Sequence, residues 1–226
     1  EQELRFQRGR NTVIENKVRV EETEKKLPAT FETRKNIHLL FSGTLAETTG
    51  VFTAIDLAIK LHVIDDRFRF TIIGFCSQQH VLEKIRLLIQ PRPFITLITD
   101  DRPVPHAEIF KHIHLADFGL VTYQINPSTM NSIPTKLYEY LGFHLPILLV
   151  NHKPWVEFCH KYDAAIVFDG NHYDAGALYK EMMTRRFYPV DPVEVYWESE
   201  APKLLAILTK LKPVRKTRVQ PVKVLD

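Results

Sequence analysis

Short apolar runs alternate along most of the chain with stretches in which apolar residues recur at helical spacing. The runs occupy residues 37–43, 68–75, 93–99, 117–123, 145–150 and 164–168. Their lengths and their content of Ile, Val, Leu and Phe predict buried strands. The intervening stretches predict helices over residues 50–62, 77–89, 106–116, 133–142, 154–161 and 175–185. This alternation predicts an α/β fold with a doubly wound, Rossmann-like parallel sheet of about six strands.

The two ends of the chain have a different pattern. Residues 1–36 mix charges with few apolar positions, and residues 20–35 have the composition of a surface connector. Residues 196–211 repeat leucine at helical spacing and predict an amphipathic helix, after which the sequence becomes basic and proline-punctuated. We therefore divide the chain into a leading segment (1–36), a sheet domain (37–190) and a C-terminal helix with a basic tail (191–226).

Composition limits the class of protein. The 226 residues are 45% hydrophobic and 25% charged, which predicts one globular domain with an appendage. A net charge of +3 is too balanced to predict nucleic-acid binding. Neither an apolar run long enough to span a membrane nor a signal-peptide core is present, and the two cysteines are too few for a disulfide framework. We expect a cytoplasmic protein. The first methionine is Met130, so we also expect a piece of a longer chain.

The loop after the first strand is a candidate phosphate site. Open parallel sheets bind ligands at the carboxyl ends of their strands, near the point where the strand order reverses. Residues 42–50 form a small, hydroxyl-rich turn that leads into a helix N-terminus, and such a terminus suits an anion. The loop lacks both the glycine fingerprint of dinucleotide binders and a P-loop lysine, so an ordinary turn is an equal alternative.

The loop before the fourth helix carries more chemistry. Asn131 or Ser132 can cap this helix, and Pro134 fits its first turn. Lys136 and Glu139 follow three residues apart, which allows a plain ion pair along the helix. Alternatively, Lys136 and the helix amides hold a diphosphate while Glu139 accepts hydrogen bonds from sugar hydroxyls.

Four blocks of the sequence carry a family resemblance: FSGTLAETTGVFTAIDLA, FTIIG, HIHLADFGLVTY and IPTKLYEYLGFHLPILL. Together they resemble the C-terminal, nucleotide-sugar-binding half of retaining glycosyltransferases of the GT-B fold, particularly the large family-four group. The resemblance covers about residues 37–170, and its last block is the most specific. TVIENKV (12–18) is similar to the family's segment before the interdomain linker. The resemblance implies that residues 1–36 end an N-terminal acceptor-binding domain.

The resemblance also implies roles for individual residues. Glu139 matches the second carboxylate of the family's Glu-x7-Glu motif, which contacts the donor ribose, and Asn131 stands in the place of the first. Thr44 and Thr49 stand where the family has basic phosphate ligands, and Lys136 restores one positive charge. The expected donor-binding residues are Gly43, Thr44, Thr49, Asn131, Ser132, Thr135, Lys136 and Glu139.

The implied function is transfer of a sugar, with retention, from a UDP- or GDP-linked donor to an acceptor hydroxyl, with no metal or other cofactor. A glycan, lipid or protein acceptor would be held by the absent N-terminal domain, so we expect the chain alone to be inactive. For the basic tail, solvation is favoured over a peripheral contact of the full-length enzyme with an anionic membrane. Two alternatives stay open: a sugar-nucleotide epimerase of the same architecture, and a degenerate module retained for scaffolding.

Other chemistry-bearing residues are weaker candidates. Arg102 follows the third strand on the ligand side and is a candidate contact for a base or phosphate, although an ordinary charged turn is favoured. His112 and His114 are two residues apart on a predicted helix and therefore point to different sides, which disfavours a metal site. We assign no catalytic residue from the sequence.

Overall fold

The structure, a computed structural model of the chain, describes residues 12–23, 31, 34–127, 129–130 and 132–210. The strands of this part of the chain are β1 (Ile37–Thr44), β2 (Phe68–Phe75), β3 (Ile95–Ile98), β4 (Phe118–Val121), β5 (Ile147–Val150) and β6 (Ala165–Phe168). The helices are α1 (Val51–Ile64), α2 (Gln79–Ile89), α3 (His106–Leu115), α4 (Thr135–Gly142), α5 (Lys153–His160), α6 (Ala175–Thr184) and α7 (Ala201–Lys210).

The described strands form one sheet in the order β3-β2-β1-β4-β5-β6, and every pairing is parallel. Helices connect consecutive strands, so the predicted doubly wound α/β sheet is confirmed. The chain runs outward from β1 to β3 and then returns to pair β4 with β1. The strand order therefore reverses between β1 and β4, and the loops that follow these two strands leave the same edge of the sheet side by side.

The core is the central sheet covered by helices. Every residue of β4 and β5 is buried, as expected for parallel strands that are covered on both faces. Helix α1 packs on this sheet through the apolar positions predicted from its spacing, of which Val51, Ala54, Ile55 and Ala58 are fully buried. Apolar burial along both faces thus fixes the strands whose ends form the ligand edge.

Two adjacent loops are held together by a close approach of their backbones. Gly50, just before α1, has a φ of +77°, and a Cβ there would lie 1.6 Å from the carbonyl oxygen of Thr122. The Thr122 hydroxyl donates a hydrogen bond of 2.8 Å back to the Gly50 carbonyl. Only glycine satisfies both the left-handed backbone and this contact. The loop after β1 is therefore fixed against the end of β4.

Some predicted boundaries differ from the structure. Helix α4 begins at Thr135 with Pro134 as its N-cap and without a side-chain cap, so the expected capping by Ser132 is wrong. Asn131 lies outside the described residues. The C-terminal helical pattern divides into a 3-10 turn, Trp197–Ser199, and α7. Glu200 lies between them, where it ends the turn and forms a buried ion pair. The basic tail beyond residue 210 also lies outside the described part.

Residues 12–23 pack along the C-terminal segment. Val18 forms a parallel β-bridge with Tyr196, and its carbonyl accepts a hydrogen bond of 2.8 Å from the Trp197 amide. The ammonium of Lys17 lies 2.6 Å from the Glu200 carboxylate, which is 0% exposed. Residues 12–23 are thus attached to the C-terminal segment by a β-bridge and a buried charge pair, and their origin in a further domain stays a prediction.

The Glu200→Gln substitution should destabilise the fold by about 3 kcal/mol at pH 7, because it removes the buried ionic partner of Lys17 and leaves only the partly exposed Glu15, at 3.4 Å. Burial raises the pKa of Glu200, but hydrogen bonds from Lys17 and Lys203 overcome this and lower the pKa from 4.5 to about 2. The pair therefore stabilises the fold above pH 4.5, and this contribution is lost as the pH falls toward 2. Urea unfolding at pH 7 and pH 3 measures both effects.

The matched control is Glu157→Gln, which removes a carboxylate of an exposed ion pair on α5. It should change the free energy of unfolding by less than about 0.5 kcal/mol. Equal destabilisation by both variants would show that the Lys17–Glu200 pair does not hold the leading segment in place.

Candidate functional site

An open cleft of about 460 Å³ lies at the edge of the sheet where β1 and β4 end. Its walls are the loop after β1, the segment after β4, the start of α4 and the first turns of α3 and α5. Six of the predicted site residues line it: Gly43, Thr44, Ser132, Thr135, Lys136 and Glu139. The structure therefore brings together the two loops that the sequence analysis singled out separately.

Three predicted residues stand apart from this group. Thr49 is not among the residues that line the cleft, and its hydroxyl oxygen lies within 3.1 Å of the Ala46 amide and 2.8 Å of the Thr44 carbonyl. Thr49 thus closes the turn after β1. Arg102 is exposed and also lies outside the lining, so its contact with a ligand stays a prediction. Asn131 belongs to the residues that the structure does not describe.

Lys136 is the most unusual residue of the cleft. It is 5% exposed, and its Nζ is buried without a hydrogen-bond partner among the residues that the structure describes. The Nζ lies 3.9 Å from the ring centroid of Phe41 and 4.9 Å from that of Tyr123. Burial lowers the pKa of Lys136 to about 7, although the nearby charge of Glu139 acts in the opposite direction. The cationic form is thus attracted by two aromatic faces and, at longer range, by Glu139, but within the described residues no carboxylate forms an ion pair with it.

Glu139 lies one helical turn further along α4 and is 7% exposed. Burial raises its pKa, while the charges of His106 and Lys136 oppose this rise. Neither a hydrogen bond to its carboxylate nor an ion pair with Lys136 occurs within the described residues. The simple ion-pair interpretation of these two residues is therefore not what the structure contains. Buried polar groups are normally satisfied, so both side chains are suited to a ligand in the cleft.

The position of Lys136 is fixed by the rest of its helix. The hydroxyl of Tyr140 lies 3.0 Å from the Ser42 hydroxyl and accepts a hydrogen bond of 3.3 Å from the Ser42 amide. Because residues four apart lie on the same helical face, this contact places Lys136 beside the loop after β1. A Cβ on Gly43 would lie 3.8 Å from the Lys136 Cε, so the lysine stem lies along the backbone of that glycine.

The first turn of α4 adds a partial positive charge to the same wall. No side chain in the described part of the chain caps this helix, so no described neighbour satisfies its first amides through a side chain. The positive end of the helix dipole therefore faces the cleft beside Lys136. A lysine, free helix amides and the turn at Gly43 together form a site suited to a phosphate group.

Several residues that line the cleft were not predicted as site residues, among them Asn16, His106, Tyr123 and Trp155. His106 and Trp155 begin α3 and α5, and in a parallel sheet the helix that follows a strand starts at the ligand edge. That topological signal was available in the sequence. Tyr123 also follows a strand, and burial together with the charge of Glu139 raises its pKa to about 12. Asn16 had no such signal, because it lies in residues 12–18, which were assigned by resemblance to the family's segment before the interdomain linker.

The described residues contain no group of three or more His, Cys, Asp or Glu side chains placed to hold a metal ion. None of the helices in this part of the chain is both long and apolar enough to cross a membrane.

Comparison with known proteins identifies the fold. No protein-family profile and no curated protein sequence matches the chain. Solved structures do match, among them AviGT4, a glycosyltransferase involved in avilamycin A biosynthesis, with a TM-score of 0.62 and 13% identity over 90% of this chain. A trehalose-6-phosphate protein of Escherichia coli bound with UDP-2-fluoroglucose matches 80% of the chain with a TM-score of 0.55 and 15% identity.

A third match is the UDP-forming trehalose-phosphate synthase of Burkholderia xenovorans in complex with glucose-6-phosphate, with a TM-score of 0.56 and 11% identity over 77% of this chain. The chain spans 60%, 46% and 44% of the length of these three proteins. The chain thus has the fold of a GT-B glycosyltransferase domain, as the sequence predicted. At these identities the likeness concerns the fold alone.

Replacing Lys136 with Met should stabilise the free protein at pH 6. The folded-state pKa of about 7 lies below the ordinary value of 10.5, so the charged form of Lys136 opposes folding below pH 7. We expect a gain of about 2–4 kcal/mol in the free energy of unfolding at pH 6, after allowance for the lost attraction between the ammonium and the two rings. The gain should shrink as the pH rises from 7 to 10.5. Denaturant unfolding between pH 6 and pH 10 measures this.

The control is Lys153→Met on α5, whose side chain is 87% exposed. It should leave the free energy of unfolding within about 0.5 kcal/mol of the wild type at each pH. A Lys136→Met variant that is less stable than the wild type at pH 6 would mean that Lys136 stabilises the fold.

Proposed function

We propose that this chain is the donor-binding domain of a glycosyltransferase, which binds a UDP- or GDP-linked sugar in the cleft between β1 and α4. The single observation that supports this most strongly is the buried, unpaired ammonium of Lys136 at the N-terminus of α4. A fold shared with glycosyltransferases adds support, and one of those proteins is bound with UDP-2-fluoroglucose. The remainder of the active site would belong to an acceptor-binding domain outside this chain.

The proposed chemistry depends on charge at the leaving group. When the bond between the sugar and the diphosphate breaks, negative charge accumulates on the diphosphate. Lys136, the first amides of α4 and the Gly43 turn would stabilise that charge from fixed positions. Because these groups are already in place before the ligand binds, little reorganisation is needed. No step of this scheme uses a metal ion, and retention of configuration is taken from the family resemblance.

Glu139 would bind the ribose of the same donor. Its carboxylate has two acceptor oxygens, which suits a pair of neighbouring hydroxyl groups. It lies on the same helix as Lys136 but one turn deeper, so a nucleoside diphosphate would extend along α4 from its first turn. Thr44 and Ser132, which line the cleft, are further candidate contacts for the diphosphate.

The decisive experiment is calorimetric titration of the chain with UDP, GDP and their sugar conjugates. Saturable binding of a nucleotide sugar supports a donor site and contradicts a degenerate scaffolding module. Absence of binding to every one of these ligands would reject the proposal. Product analysis of the longer protein separates transfer to an acceptor from epimerisation of the donor.

Lys136→Met should weaken binding of the nucleoside diphosphate by roughly 10- to 100-fold, the value of a lost charge-assisted contact. Affinity for the corresponding nucleoside should change by less than about twofold, because the nucleoside has no phosphate. The wild type should also lose diphosphate affinity as the pH rises above 7, since neutral Lys136 must first take up a proton. Titrations at pH 6.5 and pH 8.5 measure both effects.

Lys153→Met is again the control and should match the wild type with both ligands. Equal losses of nucleoside and diphosphate affinity in Lys136→Met would remove Lys136 from the phosphate site.

Glu139→Gln should weaken nucleoside and nucleoside diphosphate alike, by about 1.5–3 kcal/mol, because both ligands carry the ribose. The free energy of unfolding should not fall, since the substitution removes a buried charge that has no partner. Calorimetry and thermal unfolding of the same sample measure the two quantities, with Glu157→Gln as control. Unchanged binding combined with lower stability would assign Glu139 a structural role.

A further inference from the structure

We propose that Trp155 is a positioning residue that holds two walls of the diphosphate cleft at their working separation. The walls are Tyr123, which follows β4, and the loop that leads into α4. This inference rests on the proposed function, because it concerns the same cleft. Trp155 itself would act through its neighbours and would not need to touch the phosphate groups.

The indole of Trp155 bridges from α5 to the loop before α4. The side chain is 0% exposed, and its Nε1–H donates a hydrogen bond of 2.7 Å to the Ser132 carbonyl, 23 residues earlier in the sequence. Ser132 itself lines the cleft. A buried indole N–H needs an acceptor, and here that acceptor belongs to the loop that lines the cleft and leads into α4.

This bond matters because α4 has no side-chain cap. Its N-cap residue is Pro134, which supplies no hydrogen-bonding side chain, so the entry of the chain into the helix is not fixed locally. The bond from Trp155 fixes the Ser132 carbonyl two residues before that N-cap. The direction of the first helical turn, and with it the position of Lys136, therefore depends on α5.

The ring of Trp155 also contacts the opposite wall. It meets the ring of Tyr123 edge to face, with centroids 5.6 Å apart and an interplanar angle of 79°. Tyr123 in turn has its ring centroid 4.9 Å from the Lys136 Nζ. Trp155 thus contacts both the aromatic wall beside the lysine and the loop that begins the lysine's helix.

The remaining side of the indole is occupied, which prevents it from rotating away. His152 stacks on it with centroids 3.9 Å apart and an interplanar angle of 21°. His152 is 2% exposed, and burial lowers its pKa, so the neutral ring packs against the indole. His152 is the N-cap residue of α5 and follows β5 closely in the sequence, so its ring fixes the position of the indole relative to the end of β5.

The test compares Trp155→Phe with Phe158→Leu. The first variant keeps an aromatic ring and removes the N–H donor. The second loses a comparable aromatic contact on the same helix, where Phe158 packs on Tyr138. Trp155→Phe should weaken UDP or GDP binding about 5- to 10-fold and the matching nucleoside less than about twofold, as one lost hydrogen bond predicts. Phe158→Leu should change the two affinities equally or not at all.

Hydrogen exchange provides a second measurement. In Trp155→Phe, amide exchange over residues 132–137 should accelerate several-fold while the amides of β5 keep their protection. In the unmodified chain, the Trp155 indole proton should exchange more slowly once the diphosphate is bound. If Trp155→Phe does not fold, the exchange rate of the indole proton in the unmodified chain tests the inference instead. A rate that the diphosphate leaves unchanged would then overturn the inference.

The outcomes separate this inference from the proposed function. If Lys136→Met weakens diphosphate binding but Trp155→Phe leaves both binding and local exchange unchanged, Trp155 is not a positioning residue and the donor site stands. Parallel losses of nucleoside and diphosphate affinity, with exchange accelerated throughout the sheet, also reject the inference, because they indicate general destabilisation. If the wild type binds no nucleoside diphosphate, both the proposed function and this inference are rejected.

Discussion

The contact between Gly50 and Thr122 is the constraint on which the cleft depends. A backbone approach that leaves no room for a Cβ fixes the loop after β1 against the end of β4, across the point where the strand order reverses. Tyr140 adds a second connection by bonding α4 to Ser42 on β1. With the two loops and the helix held in this way, the side chains that line the cleft need no further rearrangement to converge on one ligand.

Lys136 shows a conflict between stability and the proposed function. A buried ammonium without an anion opposes folding, and the core of the sheet must offset that penalty. The aromatic faces of Phe41 and Tyr123 reduce it by attracting the charge, but they accept no hydrogen bond as strong as one to a carboxylate or phosphate. A residue of this kind is expected at functional sites, where a locally unfavourable arrangement persists because the rest of the fold tolerates it.

The sheet was predictable because its signal is local, whereas the site was predictable only in part. An apolar run predicted each buried strand, and the family resemblance of the last block indicated Lys136 and Glu139 as site residues. Thr49 was assigned to the ligand, yet its hydroxyl is used within its own turn, which depends on backbone geometry that a sequence does not display. The topology could have placed Trp155 at the cleft, but its hydrogen bond to the Ser132 carbonyl, 23 residues earlier, could not be predicted, because single-sequence periodicity carries no information on such a distant contact.

The separation of Lys136 from Glu139 explains how the two residues can serve one ligand. Their spacing on α4 permits an ion pair, and such a pair would satisfy both charges at once. Instead, the lysine stem lies along Gly43 and its ammonium lies between two rings, while the carboxylate lies beside α3, near His106. A Cβ on Gly43 would make only an ordinary contact of 3.8 Å with the lysine stem, so it is the φ of +100° at this turn that favours glycine there. Each group therefore remains available to a different part of an anionic ligand that also carries hydroxyl groups.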